Sequence, residues 1–220
     1  IDKLVKNGDK QINKEAEFLC RLKNHCNKGK QARTIQKNND EKKILNSLHL
    51  LTSKPILYIA NVDEKQIITN NYNFSVNELL DFAEKEGNAA IVICGQIERE
   101  ISMLEKKEKH EFLKEYGLKE PGLDKVIKAA FNLLGLQTYF TGGPSEVRAW
   151  TIKKGTKAPE AAGIIHSDFQ RGFIKAEVYK YDDLNSLGSE KAVKDKGLAR
   201  IEGKDYIVKE GDCIYFRFNV

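Results

Sequence analysis

Long apolar runs are missing from this 220-residue sequence. The most extended, Pro55 to Ala60 and Ala89 to Cys94, fall far short of the roughly 20 residues that a membrane-spanning helix needs. The opening Ile1-Asp2-Lys3-Leu4 has no initiator Met and no apolar core of a secretory signal. Cysteine is sparse: Cys20, Cys26, Cys94 and Cys213 include no C-x-x-C pair. The histidines, His25, His49, His110 and His166, form no H-x-x-x-H or H-E-x-x-H. These absences argue against a membrane protein, a disulfide framework and a zinc site, and no metal ligands are assigned. Isolated thiols fit a reducing, cytoplasmic setting. His25 and Cys26 are adjacent, but helical neighbours point about 100° apart, and both read as surface residues.

Charge, by contrast, is abundant and uneven. Residues 1–54 hold 13 Lys+Arg against 6 Asp+Glu, while residues 55–137 hold 10 against 14 and residues 138–220 hold 14 against 12. The basic character therefore belongs to the first segment. Such an arm can be a solvated helical face or the footprint of RNA. Phe18 is the one aromatic among its basic residues, too little for stacking on unpaired bases.

The chain changes period twice. Residues 13–27 place Ala16, Leu19, Cys20, Leu22 and Cys26 on a helix-like stripe, Gly29 suggests a turn, and Asp40 is the expected cap of a helix carrying Ile44, Leu45, Leu48 and Leu51. Next come two continuous β-branched runs, Pro55–Ala60 and Ala89–Cys94, expected as buried strands. The helix between them, Ser75 to Glu86, is expected to start with a Ser75/Glu78 capping box and to end at Gly87. Further helices are expected over Ile97–Tyr116 and Leu123–Leu134. Alternating strands and helices predict part of a parallel sheet, and two strands alone are too few for one.

The remainder reads as short strands around Phe140, Val147–Ile152, Gly172–Tyr181, Leu198–Ile201, Tyr206–Val208 and Cys213–Phe218. Helices are expected at Ala158–His166 and Asp183–Lys194, with turns at Gly142-Gly143-Pro144, Gly203 to Asp205 and Glu210 to Asp212. This predicts a small mixed sheet wrapped round a short helix.

Two stretches carry a family resemblance: Leu51-Thr-Ser-Lys-Pro-Ile-Leu-Tyr-Ile-Ala-Asn-Val-Asp-Glu64, and Tyr139-Phe-Thr-Gly-Gly-Pro-Ser-Glu-Val-Arg-Ala-Trp-Thr-Ile-Lys-Lys-Gly-Thr-Lys-Ala-Pro-Glu-Ala-Ala-Gly163 continuing through Ile165 to Glu177. With Glu202-Gly-Lys-Asp-Tyr206 and the closing Gly211 to Val220, the sequence closely resembles the YchF/Obg-like ATPases, of the Obg branch of P-loop NTPases. The resemblance implies an α+β fold in three parts. Residues 1–50 would be a partial helical-hairpin (coiled-coil-like) insert and 51–137 part of a parallel α/β nucleotide-binding domain. Residues 138–220 would be a C-terminal ubiquitin-like β-grasp (TGS) domain.

It further implies a cytoplasmic, translation-associated protein that uses ATP and Mg2+ and meets the large ribosomal subunit or structured RNA. The sequence departs from the family in its phosphate-loop and D-x-x-G motifs, neither of which it holds. It holds neither G-x-x-x-x-G-K-[ST] nor any Gly-Lys-Ser or Gly-Lys-Thr. A phosphate cradle needs backbone N–H groups at a helix N-terminus, a Lys and a magnesium-binding hydroxyl, and Gly29-Lys30-Gln31 does not supply them. The chain therefore looks like a carboxyl-terminal part of such a protein, with no catalytic residue assigned and no tight binding of nucleotide or metal expected on its own. The alternative is a stand-alone RNA-binding or protein-interaction module. Exposed edges of a truncated sheet would favour self-association.

Asn61-Val62-Asp63-Glu64 ends the first strand, where ligands of open α/β sheets bind. GTPases carry Lys where Val62 stands and Asp where Glu64 stands. The longer carboxylate crowds guanine, and the resemblance ties the change to ATP. Asn61, Val62 and Glu64 are thus candidate base-binding residues. Cys94 and Gly95 are candidates on the opposite loop. The alternative for both is an ordinary turn. In the last segment, Arg148, Trp150, Lys153, Lys154, Lys157, His166 and Arg171 form the candidate RNA- or ribosome-facing set. Trp150 is alternatively a core residue and the lysines solvated surface. His166-Ser167-Asp168 is no hydrolytic triad, because consecutive residues do not reach relay geometry.

Overall fold

The computed structural model describes residues 10–143 and 146–219, so the opening tetrapeptide and Pro144 lie outside the described residues. The chain divides into two compact units, residues 1–60 with 72–91 and residues 61–71 with 92–220.

In the first unit, helix α1 (Lys10–Asn27) buries Phe18 and Leu22, with Cys26 packed beside them. The stripe runs i, i+4, i+8, so Phe18 is fully buried while Cys20, expected on it, faces solvent. His25 and Cys26 are half-buried rather than on the surface. Helix α2 (Asn39–Ser47) adds Leu45 to this core, joined by Ala32 and Ile35. Its cap is Asn38 instead of Asp40. The Asn38 Oδ1 accepts from the N–H groups of Asp40 and Glu41 at 3.0 and 2.9 Å, and the Glu41 carboxylate accepts from Asn38 N–H at 2.9 Å. A reciprocal partner three residues on satisfies two orphan donors at once, which Asp40 has no means to do.

Strands β1 (Leu57–Asn61) and β2 (Ala89–Ile93) pair in a two-stranded sheet. Their connection includes α3 (Glu64–Thr69) and α4 (Phe74–Glu86). Asn73, rather than Ser75, caps α4, accepting from Val76 N–H at 3.0 Å, and Gly87 ends it in the left-handed conformation as expected. The strands are less buried than their apolar runs suggest: Ala60 alone is buried in β1, and no residue of β2 is. A two-stranded sheet has no neighbouring strands to cover its edges. Behind it the Glu86 carboxylate collects Tyr58 OH (3.0 Å), Asn88 Nδ2 (2.8 Å) and the Arg33 guanidinium (3.4 Å).

The second unit contains α3, a short helix with no apolar stripe to announce it, and α5 (Gly95–Met103), α6 (Lys106–Glu115) and α7 (Gly122–Leu134). The single helix expected over Ile97–Tyr116 is broken. Leu104 is extended, and Glu105 opens a new helix by giving its N–H to Glu108 at 2.9 Å. The Glu98 carboxylate caps α7, accepting from the N–H groups of Gly122 (2.7 Å) and Leu123 (3.0 Å). A Cβ at Gly122 would lie 2.8 Å from that carboxylate and 2.9 Å from Ile93, so the approach needs glycine.

The rest of this unit is a five-stranded sheet of β3 (Leu136–Gly142), β4 (Val147–Lys153), β5 (Phe173–Lys180), β6 (Arg200–Glu202) and β7 (Asp212–Phe218), ordered β4-β3-β7-β5-β6. β3 and β7 are parallel, and the other neighbours are antiparallel. Alternate residues Tyr139, Ile152, Val178, Ile214 and Phe216 face helix α8 (Ala158–Ile165), whose alanines allow close packing, and Tyr139 OH donates to Ala161 O at 2.9 Å. Burial pushes the Tyr139 phenol well above its usual range. Tyr179, Cys213 and Val193 pack on the other face with α10 (Tyr181–Leu187) and α11 (Glu190–Asp195). These two replace the single helix expected over Asp183–Lys194. Gly188 stops the first at φ 76°, and Ser189 caps the second. Tyr206–Val208 forms one bridge to Lys157 rather than a strand. Among the described residues no helix is long and apolar enough to cross a membrane.

Candidate functional site

At the carboxyl end of β1 the chain turns through Asn61 to Glu64, and at the end of β2 through Cys94 to Gly95. The two loops are joined side by side. Val62 N–H donates to Ile93 O at 2.9 Å, and the Asn61 Oδ1 accepts from Gly95 N–H at 2.9 Å. With its oxygen committed to Gly95, the Asn61 side chain keeps an amide NH2 to offer a ligand. A Cβ at Gly95 would sit 3.4 Å from that oxygen, so a small residue suits the approach.

The other positions differ in what they present. Val62 and Cys94 are buried, so what these two can show a ligand is backbone. Asp63 is a helix cap: its Oδ1 accepts from Gln66 N–H and its Oδ2 from the Gln66 side-chain amide, both at 2.8 Å. These bonds hold its pKa below the usual carboxylate range. Glu64 starts α3, and the hydroxyl of Tyr116 hydrogen-bonds its carboxylate, which raises the tyrosine pKa. Tyr116 is itself fixed by stacking on Phe112, ring centroids 4.4 Å apart. Gln66 and Tyr116 carry no spacing signal in the sequence, because their partners are set by the fold.

The candidate RNA set is divided. Arg148 and Trp150 alternate on the face of β4 that turns towards α8, whereas Lys153 is on the opposite face. The Trp150 ring is half-buried against the core, its Nε1 donates to Thr141 Oγ1 at 2.8 Å, and the Arg148 guanidinium covers it at 4.2 Å. Stacking of a base on Trp150 would have to displace Arg148. Lys154 donates to Asn132 Oδ1 at 3.0 Å, and Lys157 pairs with Asp205 at 2.7 Å. His166 caps the short helix α9 (Ser167–Arg171), its Nδ1 accepting from Asp168 N–H at 3.2 Å, and Arg171 pairs with Asp168. The arrangement offers cations on several surfaces rather than one stacking platform. Among the described residues no group of three or more His, Cys, Asp or Glu is placed to hold a metal ion.

Comparison with known proteins gives this geometry a context. Along its whole length the chain is 50% identical to the ribosome-binding ATPase YchF of Bacillus subtilis, spanning 60% of that protein. It is 43% identical to the Obg-like ATPase 1 of Rattus norvegicus, spanning 57% of it. The chain is similar along its whole length to the YchF/Obg-like ATPases. A family model described as YchF-GTPase_C, a protein of unknown function (DUF933), matches residues 136–219, the segment that forms the five-stranded sheet. The structure of the Schizosaccharomyces pombe YchF GTPase superposes with a TM-score of 0.81 at 32% identity, covering 93% of this chain and 55% of that one. A GTP-binding protein from Pyrococcus horikoshii shares the fold at a TM-score of 0.54 and 18% identity. The chain thus spans under two thirds of the length of these relatives.

Proposed function

We propose that this chain serves a cytoplasmic ribosome-binding ATPase, supplying the base-recognition loops and a ribosome- or RNA-contacting module. The observation that carries the reading is the 50% identity over all 220 residues to a relative named as a ribosome-binding ATPase. We place a partial helical insert over 1–50, part of the nucleotide-binding domain over 51–137 and a TGS domain over 138–220. Numbered within the last segment alone, the strand order is 2-1-5-3-4, which supports a ubiquitin-like β-grasp.

The residues present suit the base end of a nucleotide and not its phosphate end. Asn61 offers an amide donor beside Gly95, and Val62 and Cys94 contribute backbone. Glu64 stands where a shorter carboxylate would engage guanine, which favours ATP. No phosphate loop occurs in these 220 residues, so the chain does not turn over ATP by itself. Mg2+ would neutralise phosphate charge near residues that this chain does not contribute. For the ribosome, Arg148, Lys153, Lys154, Lys157, His166 and Arg171 supply phosphate contacts on the large subunit, with Trp150 holding Arg148 in place. Self-association is proposed through the half-exposed β1–β2 pair, where Ile59 is 47% exposed.

Nucleotide preference tests the base site. In a protein that joins this chain to a phosphate loop, Glu64→Asp should shift competition between fluorescent ATP and GTP analogues towards GTP by about tenfold, the scale of a well-placed polar contact. An unchanged preference would remove Glu64 from base selection.

A further inference from the structure

A carboxylate outside both the base loops and the candidate RNA set joins two helices. Helix α5 starts at Gly95, whose N–H the Asn61 oxygen accepts, and Glu98 lies one turn further on. Its side chain reaches across to α7, where Oε1 accepts from Gly122 N–H at 2.7 Å and Oε2 from Leu123 N–H at 3.0 Å. Neither helix supplies such a contact at its own start. Cys94 and Pro121, which precede α5 and α7, make no side-chain cap. One carboxylate oxygen on each of two successive N–H groups is a charge-assisted, two-point contact of fixed direction, at the helix end that favours an anion.

Stability of α7 accounts for only half of this contact. Leu123 is 57% exposed, so water can satisfy its N–H. What a cap from α5 adds is a fixed place for α5 itself. Glu98 N–H donates to Cys94 O at 3.0 Å, so Cys94, Gly95 and Glu98 share one hydrogen-bonded turn and move together. On the inner side Cys94, Ile97 and Ile101 form a buried apolar cluster. Apolar packing is non-directional: it sets how deep α5 sits and leaves rotation about its axis weakly fixed. The Glu98 contact supplies the missing direction.

We propose that Glu98 is a positioning residue for nucleotide recognition. By holding the first turn of α5 against α7, it keeps Gly95 N–H in line with the Asn61 oxygen, and so keeps the Asn61 amide turned towards the base. The inference rests on the base site proposed above. Without Glu98 the turn shifts, and a movement of about 1 Å takes the Gly95–Asn61 pair out of hydrogen-bond range. The Asn61 side chain then rotates freely and no longer presents its amide. The base loops meet the base rather than the reacting phosphates, so ground state and transition state lose the same contact. KM rises and kcat does not.

Two measurements test it. In the full chain, Glu98→Ala should speed hydrogen exchange of the Gly95 amide about tenfold, the scale of one lost hydrogen bond, and leave the amides of β5 and β7 unchanged. In a protein that joins this chain to a phosphate loop, the same substitution should raise the KM for ATP about tenfold and leave kcat within about twofold. Glu98→Gln keeps an acceptor for one of the two N–H groups and should raise KM only about threefold. Asn132→Ala removes the Lys154 tie at the other end of α7 and should leave KM unchanged. An equal rise there would overturn the inference in favour of general loosening of α7. Gly95 exchange unaffected by Glu98→Ala, or a fall in kcat without a rise in KM, would also overturn it. Asn61→Ala separates the inference from the reading beneath it. If Asn61→Ala weakens ATP binding and Glu98→Ala does not, the positioning role fails alone. If Asn61→Ala leaves ATP binding unchanged, the base site fails and the positioning role with it.

Discussion

Asp212 offers the sharpest test of how the five-stranded sheet is held. It is fully buried at the start of β7. Its Oδ2 accepts from Tyr206 OH at 2.7 Å and Lys209 N–H at 2.8 Å, and the Lys180 ammonium lies 2.8 Å from Oδ1. Burial first, and the Asp212 bond second, push the Tyr206 phenol far above its usual range. Asp212→Ala strands all three partners. A hydrogen bond to a charged group contributes about 1.5–3 kcal/mol, and breaking a buried ion pair costs about 3–5 kcal/mol. These terms overlap, and Lys180 is partly exposed and can take water instead, so the expected loss is about 4 kcal/mol. For a segment of this size that lowers the melting temperature by about 20 °C. Asp212→Asn keeps an acceptor and should lose about half as much. Trp150, the sole tryptophan, packs on this core and reports its unfolding in urea by fluorescence. A loss below about 1 kcal/mol for Asp212→Ala would refute the argument that this carboxylate holds the turn to the sheet.

Other expectations follow from single positions. A Cβ at Gly172 would lie 2.1 Å from the backbone oxygen of Asn219. Gly172→Ala should therefore destabilise the sheet by about 2–3 kcal/mol, the scale of an overpacked core, and leave the 10–60 segment intact by hydrogen exchange. Under a thiol reagent Cys20 should react first, while buried Cys94 and Cys213 should react only on unfolding. Burial and the neighbouring Asp212 raise the Cys213 pKa and slow it further. Glu177 has its pKa lowered by Lys194 and then Arg217. A carboxylate depressed in the folded state contributes stability above its unfolded pKa and loses it as pH falls through the folded value. Denaturation series between about pH 5 and 3 should thus show a shallower loss for Glu177→Gln than for the parent.

What the sequence revealed, and what it hid, follows from the range of each signal. Period-2 runs such as Val147–Ile152 and the Gly87 stop are local, and both appear within a residue or so of their expected places. Caps were harder. Asn38 and Asn73 won over Asp40 and Ser75 because capping depends on which N–H groups are orphaned, not on which polar residue stands nearest the apolar run. The break at Leu104 is not legible in the sequence because the charged residues from Glu105 onward suit either one helix or two. At the candidate site, the link between Asn61 and Gly95 was foreseeable in kind, since both end neighbouring strands. The Glu64–Tyr116 bond and the Glu98 cap on α7 depend on tertiary placement, which no spacing encodes. Trp150 looked like a stacking residue because sequence does not show that Arg148, two residues away on the same strand face, already occupies its ring.

Ribosome binding by this chain tests the central claim most directly. The purified chain would be sedimented with large ribosomal subunits from low to moderate salt. The account predicts co-sedimentation that weakens steeply and log-linearly with salt, without any added nucleotide. Absence of the chain from the ribosomal pellet at low salt, or binding indifferent to salt, would contradict it.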